Sequence, residues 1–286
     1  MLALLLLGPT ATRADAQTAL TPAPPPAAQA TSPTEPSDSI YERYHVELSV
    51  GAWFTMPSTA LFSDSEVVTS GTTSTTVNGT SIDFKKQLGL NNKTFPGGHL
   101  TIRLAPKHKL FGEFIPINYK QSTTLTSEII TSGQTYLSGQ PVQSELRWNE
   151  WNAGYEYDLM TSPSGYLGAV IAVTRLNVAG GLANGAQSGT ATANIVMPGL
   201  GATGRYYVRP QVSLTGGLLA FYLPGSATST HGHSIQIDGY ATVNASKYVG
   251  VQAGYRSFIM SYVWESPLNS SSMTIGGPYL GGTLHF

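Results

Sequence analysis

Four arginines, Arg103, Arg175, Arg205 and Arg256, and five carboxylates, Glu47, Glu113, Glu150, Glu156 and Asp238, are spread singly through apolar, small or hydroxyl-bearing surroundings. Charges placed this way make no basic or acidic field. They suit a confined polar lumen, where an ion is costly unless an opposite charge lies beside it, and their near-equal numbers predict a network of ion pairs. Rings of charge also line ion paths, so the same residues read either as an electrostatic plug or as the wall of a narrow pore. A second set has acid–base potential: His231 and His233 flank Gly232, and Asp64 and Glu66 lie in a long polar stretch. A carboxylate with a histidine can activate water, but neither histidine has an Asp beside it. Two imidazoles fall short of a metal site, and both read as solvated loop residues. Phosphate loops, dinucleotide fingerprints and zinc spacings are missing from the sequence. No catalytic residue, metal or cofactor is assigned.

The elements that must position the charges are strands. Only 11% of the 286 residues are charged, against about 25% in ordinary soluble domains, and 31 Gly and 15 Tyr with many Ser and Thr stand in their place. A soluble helical enzyme fits this poorly, and a net charge of −1 gives no field for nucleic acid. No run of about 18 apolar residues is available for a membrane-spanning helix. Period-2 alternation marks ten segments: 43–54, 96–105, 109–121, 142–158, 165–178, 191–208, 211–223, 233–244, 247–264 and 272–286. Connections at Pro106-Lys107-His108, Ser162-Pro163-Ser164, Arg209-Pro210 and Ala245-Ser246 are tight. The others, about 55–95, 122–141, 179–190, 224–232 and 265–271, are long and rich in Ser, Thr, Gly and Asn.

A soluble barrel or sandwich would also alternate, but it would not make every second connection long. An all-β, closed antiparallel transmembrane β-barrel of about ten strands explains both features, with eight or twelve strands as alternatives. Closure leaves no backbone edge unpaired in hydrocarbon. In the first segment Val46, Leu48, Val50, Ala52 and Phe54 share one face and His45, Glu47, Ser49 and Gly51 the other. Likewise Trp151, Ala153, Tyr155 and Tyr157 oppose Glu150, Asn152, Gly154 and Glu156, which assigns a lipid face and a polar lumen. Breaks in parity near Pro116 and Pro198 are read as bulges. Aromatics including Trp53, Trp148, Trp151, Tyr206, Tyr222 and Trp264 fall toward strand ends, where interface girdles lie.

Residues 1–16 read as a signal peptide: Leu2 to Leu7 is apolar, and Ala14-Asp15-Ala16 fits the small-residue cleavage rule. Residues 17–40 hold six of the 18 prolines and almost no large apolar side chain, as a disordered Pro/Ala-rich periplasmic tether would. The barrel then occupies 41–286. Zero cysteines leave no disulfide to stabilise it.

The chain ends at Phe286, with Leu284, Gly282 and Leu280 at every second position before it. This resembles the C-terminal assembly signal of bacterial outer-membrane β-barrel proteins, and as architecture the resemblance covers 41–286. It implies a Gram-negative outer-membrane location, outer-membrane lipid, lipopolysaccharide and the barrel-assembly machinery as partners, and no enzymatic activity by default. An even strand count places both termini in the periplasm. Within the same class, ten strands is also the architecture of the omptin proteases, and a rim-active hydrolase is the alternative reading. The paired rim aspartates of omptins have no counterpart here. The segment Ile82-Asp83-Phe84-Lys85-Lys86-Gln87-Leu88-Gly89-Leu90 also looks like a recurrent outer-membrane element. By distance from the tight turns, Glu47, Arg103, Glu113, Glu156 and Arg205 are expected in one layer of the lumen.

Overall fold

The computed structural model describes residues 44–225, 230–264 and 266–286; the expected signal peptide and tether lie outside these. Ten long strands follow in order: β1 (Val46–Ser63), β2 (Lys93–Ala105), β3 (His108–Thr124), β4 (Pro141–Ser162), β5 (Gly165–Ala183), β6 (Ser188–Arg209), β7 (Val212–Leu223), β8 (His231–Asn244), β9 (Val249–Trp264) and β10 (Ser266–His285). Each pairs antiparallel with the next, and β10 pairs back onto β1, so the sheet closes into a ten-strand barrel. At the seam the Phe286 amide donates to the Val46 carbonyl at 2.9 Å, and the Phe286 carbonyl accepts from the amides of His45 and Val46. Closure supplies the partner that each otherwise free edge lacks.

All ten expected segments are strands. At the turn end their limits hold within a few residues, whereas at the loop end they run further: β1 continues to Ser63, β5 to Ala183, and β10 begins at Ser266. These extensions mix small, hydroxyl-bearing and apolar residues on both faces, as in Thr55–Ser63 and in the Ala-Gly-Gly-Leu-Ala run of 179–183, and so carry no clean polar–apolar alternation to read. β4, β5 and β6 reach 22, 19 and 22 residues, well beyond the roughly 9–11 that cross a bilayer. The surplus stands beyond the membrane at the loop end.

The bulges expected at Pro116 and Pro198 are absent. Inward parity runs unbroken through Glu113, Ile115, Ile117 and Tyr119 in β3 and through Ile195, Met197 and Arg205 in β6. Register shifts fall instead at Pro57/Thr59, Arg103/Ala105, Leu167/Gly168, Tyr207/Arg209 and Val263/Trp264. The prolines have another explanation. The β2–β3 ladder stops at Gly98 and Phe114, just short of Pro96 and Pro116, and the β6–β7 ladder stops at Gly199, next to Pro198. The β1–β2 ladder likewise ends at Thr55 before Pro57, and Pro278 falls in a gap of the β1–β10 ladder. Each proline therefore stands where one neighbour has ceased to pair, the edge-like position that tolerates a missing N–H.

Outward residues form an apolar belt, with Val50, Leu104, Ile171, Leu200, Leu218, Ile237, Val251 and Leu280 all about half exposed. A soluble protein rarely exposes so large an apolar surface, and hydrocarbon is the environment that covers it. The interior is divided. Toward the turn end it is polar and charged. Toward the loop end it is a dry core containing Ile115, Ile117, Trp148, Leu176, Met197, Phe258, Met260, Tyr262 and Ile275, each at most 2% exposed.

Loops complete that core. Asp83 accepts from the amides of Lys85 and Lys86, and the Gln87 side chain accepts from the Asp83 amide. The tight turn so formed drives Ile82, Phe84, Leu88 and Leu90 into the mouth, Phe84 meeting Phe62 edge-on. Between β3 and β4, the small hairpin Ile129–Thr131/Gln134–Tyr136 buries Ile129 and Tyr136 completely, and the Tyr136 hydroxyl donates to the Leu182 carbonyl at 2.7 Å. The hairpin Glu66–Ser70/Thr73–Val77 is exposed almost throughout.

Candidate functional site

The polar half of the lumen is where the described residues gather buried charges. Three clusters make it up. In the first, Arg205 holds Glu47 with both terminal nitrogens, at 3.0 and 2.9 Å, the bidentate geometry that makes such pairs strong. His285 Nε2 lies 2.8 Å from the same carboxylate and its ring stacks on Tyr44, while Arg205 Nε donates to Thr215 Oγ1. In the second, Lys109 sits between Glu156 at 2.8 Å and Asp158 at 3.0 Å, with its ammonium 3.2 Å from the centre of the Tyr166 ring. Lys109 is 1% exposed, so its charge depends on this cage of two anions and one π face.

The third cluster lies nearer the apolar core. Arg256 reaches Glu113 at 2.6 Å, Asn152 donates to Glu113 and to Gln236, and Gln236 hydrogen-bonds Glu150. Asp238 faces Arg256 directly across the β8–β9 ladder. Glu150 is flanked by Ile115 and Leu176 on the adjoining strands and marks the boundary with the dry tier. Between these groups lies a cavity of about 140 Å³, lined by Trp53, His99, Tyr240, Gln252 and Tyr279 together with the ion pairs. Gly51, Gly97, Gly217 and Gly281 also line it and leave space where side chains would stand. At Gly51 a Cβ would fall 2.6 Å from the Leu280 carbonyl oxygen, so β1 and β10 approach too closely for any larger residue.

Of the nine charges expected to face the lumen, eight do. Arg175 does not: it is exposed on the outer wall between Trp151 and Val196. The inward residues of β5 are Val170, Thr174, Leu176 and Val178. Glu113 also leaves the single layer expected of it, because it joins Arg256 in the third cluster while Glu47 and Arg205 occupy the first. The Arg103 guanidinium lies over the Tyr44 ring at 5.3 Å. Lys109, Asp158 and His285 were overlooked. Each shares the parity of an inward neighbour already recognised or lies at alternating spacing from one, Lys109 with Glu113 and Asp158 with Glu156, so continuing that alternation to the strand ends would have found them. At the loop end Asp64 is buried and accepts from Ser132 at 3.0 Å, whereas His233 is exposed on the outer face of β8.

The closed barrel, its apolar belt and its charged lumen define an outer-membrane β-barrel protein. No family model matches the sequence, and no curated protein is similar to it. Among solved structures, the outer membrane protease OmpT from Escherichia coli superposes with a TM-score of 0.53 at 10% identity, over 84% of this chain and 96% of that one. Ail, the attachment invasion locus protein of Yersinia pestis, aligns at 9% identity over 85% and 99% of the two chains, with a TM-score of 0.38. The toluene transporter TodX of Pseudomonas putida aligns at 7% identity over 85% and 90%, with a TM-score of 0.32. The likeness to OmpT is one of fold; at these identities the matches assign no activity.

Proposed function

We propose that this chain is a non-enzymatic outer-membrane barrel with a structural or surface-interaction role, sealed against bulk permeation, and with both termini on the periplasmic side. The observation that carries the reading is the dry tier: Ile117, Trp148, Met197 and Ile275 have no accessible surface and fill the interior between the polar cavity and the loop end. A ten-strand lumen is already narrow, and such a layer leaves no room for a hydrated ion. Purified protein in a planar bilayer should therefore give no steps of porin size. Large, stable steps from the unmodified chain would make it a diffusion channel instead.

Assembly belongs to the same proposal. Leu280, Leu284 and Phe286 point outward and are exposed, Phe286 by 67%, an apolar row on the outer face of the seam strand for the barrel-assembly machinery to engage. The seam keeps its long β1–β10 ladder when one terminal residue is removed. Deleting Phe286 should thus cut the amount inserted in the outer membrane severalfold and leave the detergent-refolded barrel intact. An unchanged membrane yield would reject the signal.

A further inference from the structure

Most carboxylates of the lumen touch a cation: Glu47 meets Arg205, Glu113 meets Arg256, and Glu156 and Asp158 share Lys109. Asp238 stands apart. Arg256, its neighbour across the ladder, turns instead to Glu113 at 2.6 Å, and among the described residues no hydrogen bond or salt bridge reaches the Asp238 carboxylate. Gly217 on β7 makes room for it, since a Cβ there would stand 3.2 Å from Asp238 Oδ2. The carboxylate is partly exposed and lines the cavity of about 140 Å³. An anion confined in this way gains from a cation placed beside it.

The rest of the cavity wall says which kind of cation. Tyr240 follows Asp238 on the same face of β8, and Tyr279 is level with it through Gly254. The two rings meet at a tilt, with centroids 5.9 Å apart. One step further toward the turn end is Gln252, level with Thr242. It is 4% exposed and lines the same cavity, and its amide nitrogen has no partner among the described residues. Four residues separate the levels of Asp238 and Gln252, about 13 Å at roughly 3.3 Å per residue. The cavity thus offers an anion at one end, aromatic rings along its middle and an amide donor at the other end. A metal ion needs several ligands at once, and no group of three His, Asp or Glu able to hold one occurs among the described residues. An organic ammonium needs one carboxylate and is attracted by π faces.

We infer that this cavity binds a small linear primary amine, as its monocation, that carries a hydroxyl or carbonyl oxygen at its far end. The ammonium donates to Asp238, the alkyl chain lies along Tyr240 and Tyr279, and the far oxygen accepts from the Gln252 amide. A cavity of about 150 Å³ accommodates benzene, so about six non-hydrogen atoms fill this one.

The test is calorimetric titration of the full mature chain in a non-ionic detergent at neutral pH. Both ends of the barrel face solvent there, so the result is independent of the seal and the orientation proposed above. The probe is 4-aminobutan-1-ol, with 1,4-butanediol and 4-hydroxybutyrate as neutral and anionic counterparts of similar length and potassium chloride as the inorganic cation. The amine should bind at one site, and Asp238→Asn should weaken it at least about tenfold. Gly97→Val should weaken it as much by filling the cavity: a Cβ at Gly97 has no neighbour nearer than 3.8 Å, so the added side chain is accommodated without a clash. Both variants should keep the strand content of the native chain by circular dichroism. Equal affinity in Asp238→Asn would overturn the site, and unchanged binding in Gly97→Val would place the amine outside the cavity. Equally tight binding of the diol or the hydroxy acid would overturn the choice of a cation. Displacement of the amine by an equal concentration of potassium would overturn the choice of an organic one.

Discussion

Replacing Arg205 by Leu should lower the stability of the folded barrel by about 3–5 kcal/mol, because it leaves a buried carboxylate without its cation. Glu47 is 3% exposed and receives two charge-assisted hydrogen bonds from Arg205. Its other partner, His285, offers one nitrogen and carries a positive charge only when protonated. Urea unfolding in lipid vesicles measures the difference. Removing both partners in E47L/R205L should restore much of the loss, since an ion pair exchanged for apolar groups of similar volume is often neutral. The coupling energy of the double-mutant cycle is the diagnostic quantity. A single variant as stable as the native protein would mean that water reaches Glu47 and that the pair is not buried in the membrane-inserted barrel.

Truncating Trp148 to Ala should cost about 3–5 kcal/mol and open a void in the tier that seals the lumen. Trp148 has no accessible surface, faces Tyr262 at a ring-centroid distance of 5.9 Å, and lies between Ile117 and Val178 on the adjoining strands. Its indole nitrogen has no hydrogen-bond partner among the described residues, so the loss should fall toward the lower end of that range. Thermal unfolding in detergent tests stability, and planar-bilayer recording tests the seal. Small conductance steps should appear in Trp148→Ala and stay absent in Trp148→Phe, which keeps the tier filled. If neither variant conducts, the loop turn 82–90 and the hairpin at 129–136 suffice to close the mouth, and the seal does not depend on Trp148.

The sequence by itself determined the strands, their number, the closed architecture and the lipid face. Those depend on period-2 alternation, a local property, and on the rhythm of tight and long connections, which distinguishes one end of a barrel from the other. Eight of the nine expected lumen charges face inward for the same reason. Arg175 escaped because β5 carries no other charge and is mostly apolar on both faces at its middle, Val170, Ala172, Thr174 and Leu176 against Ile171 and Val173, so alternation had little contrast there. The pairing of the charges was decided only by the tertiary structure. Glu47 and Arg205 are 158 residues apart and meet across the lumen, a distance set by the stagger of ten strands, and strand parity carries no stagger. The dry tier was hidden too. Its residues, such as Ile115, Ile117, Leu176 and Val178, are inward and apolar just where strands rise above the bilayer, so a rule that puts apolar residues outside holds only at the height of the hydrocarbon.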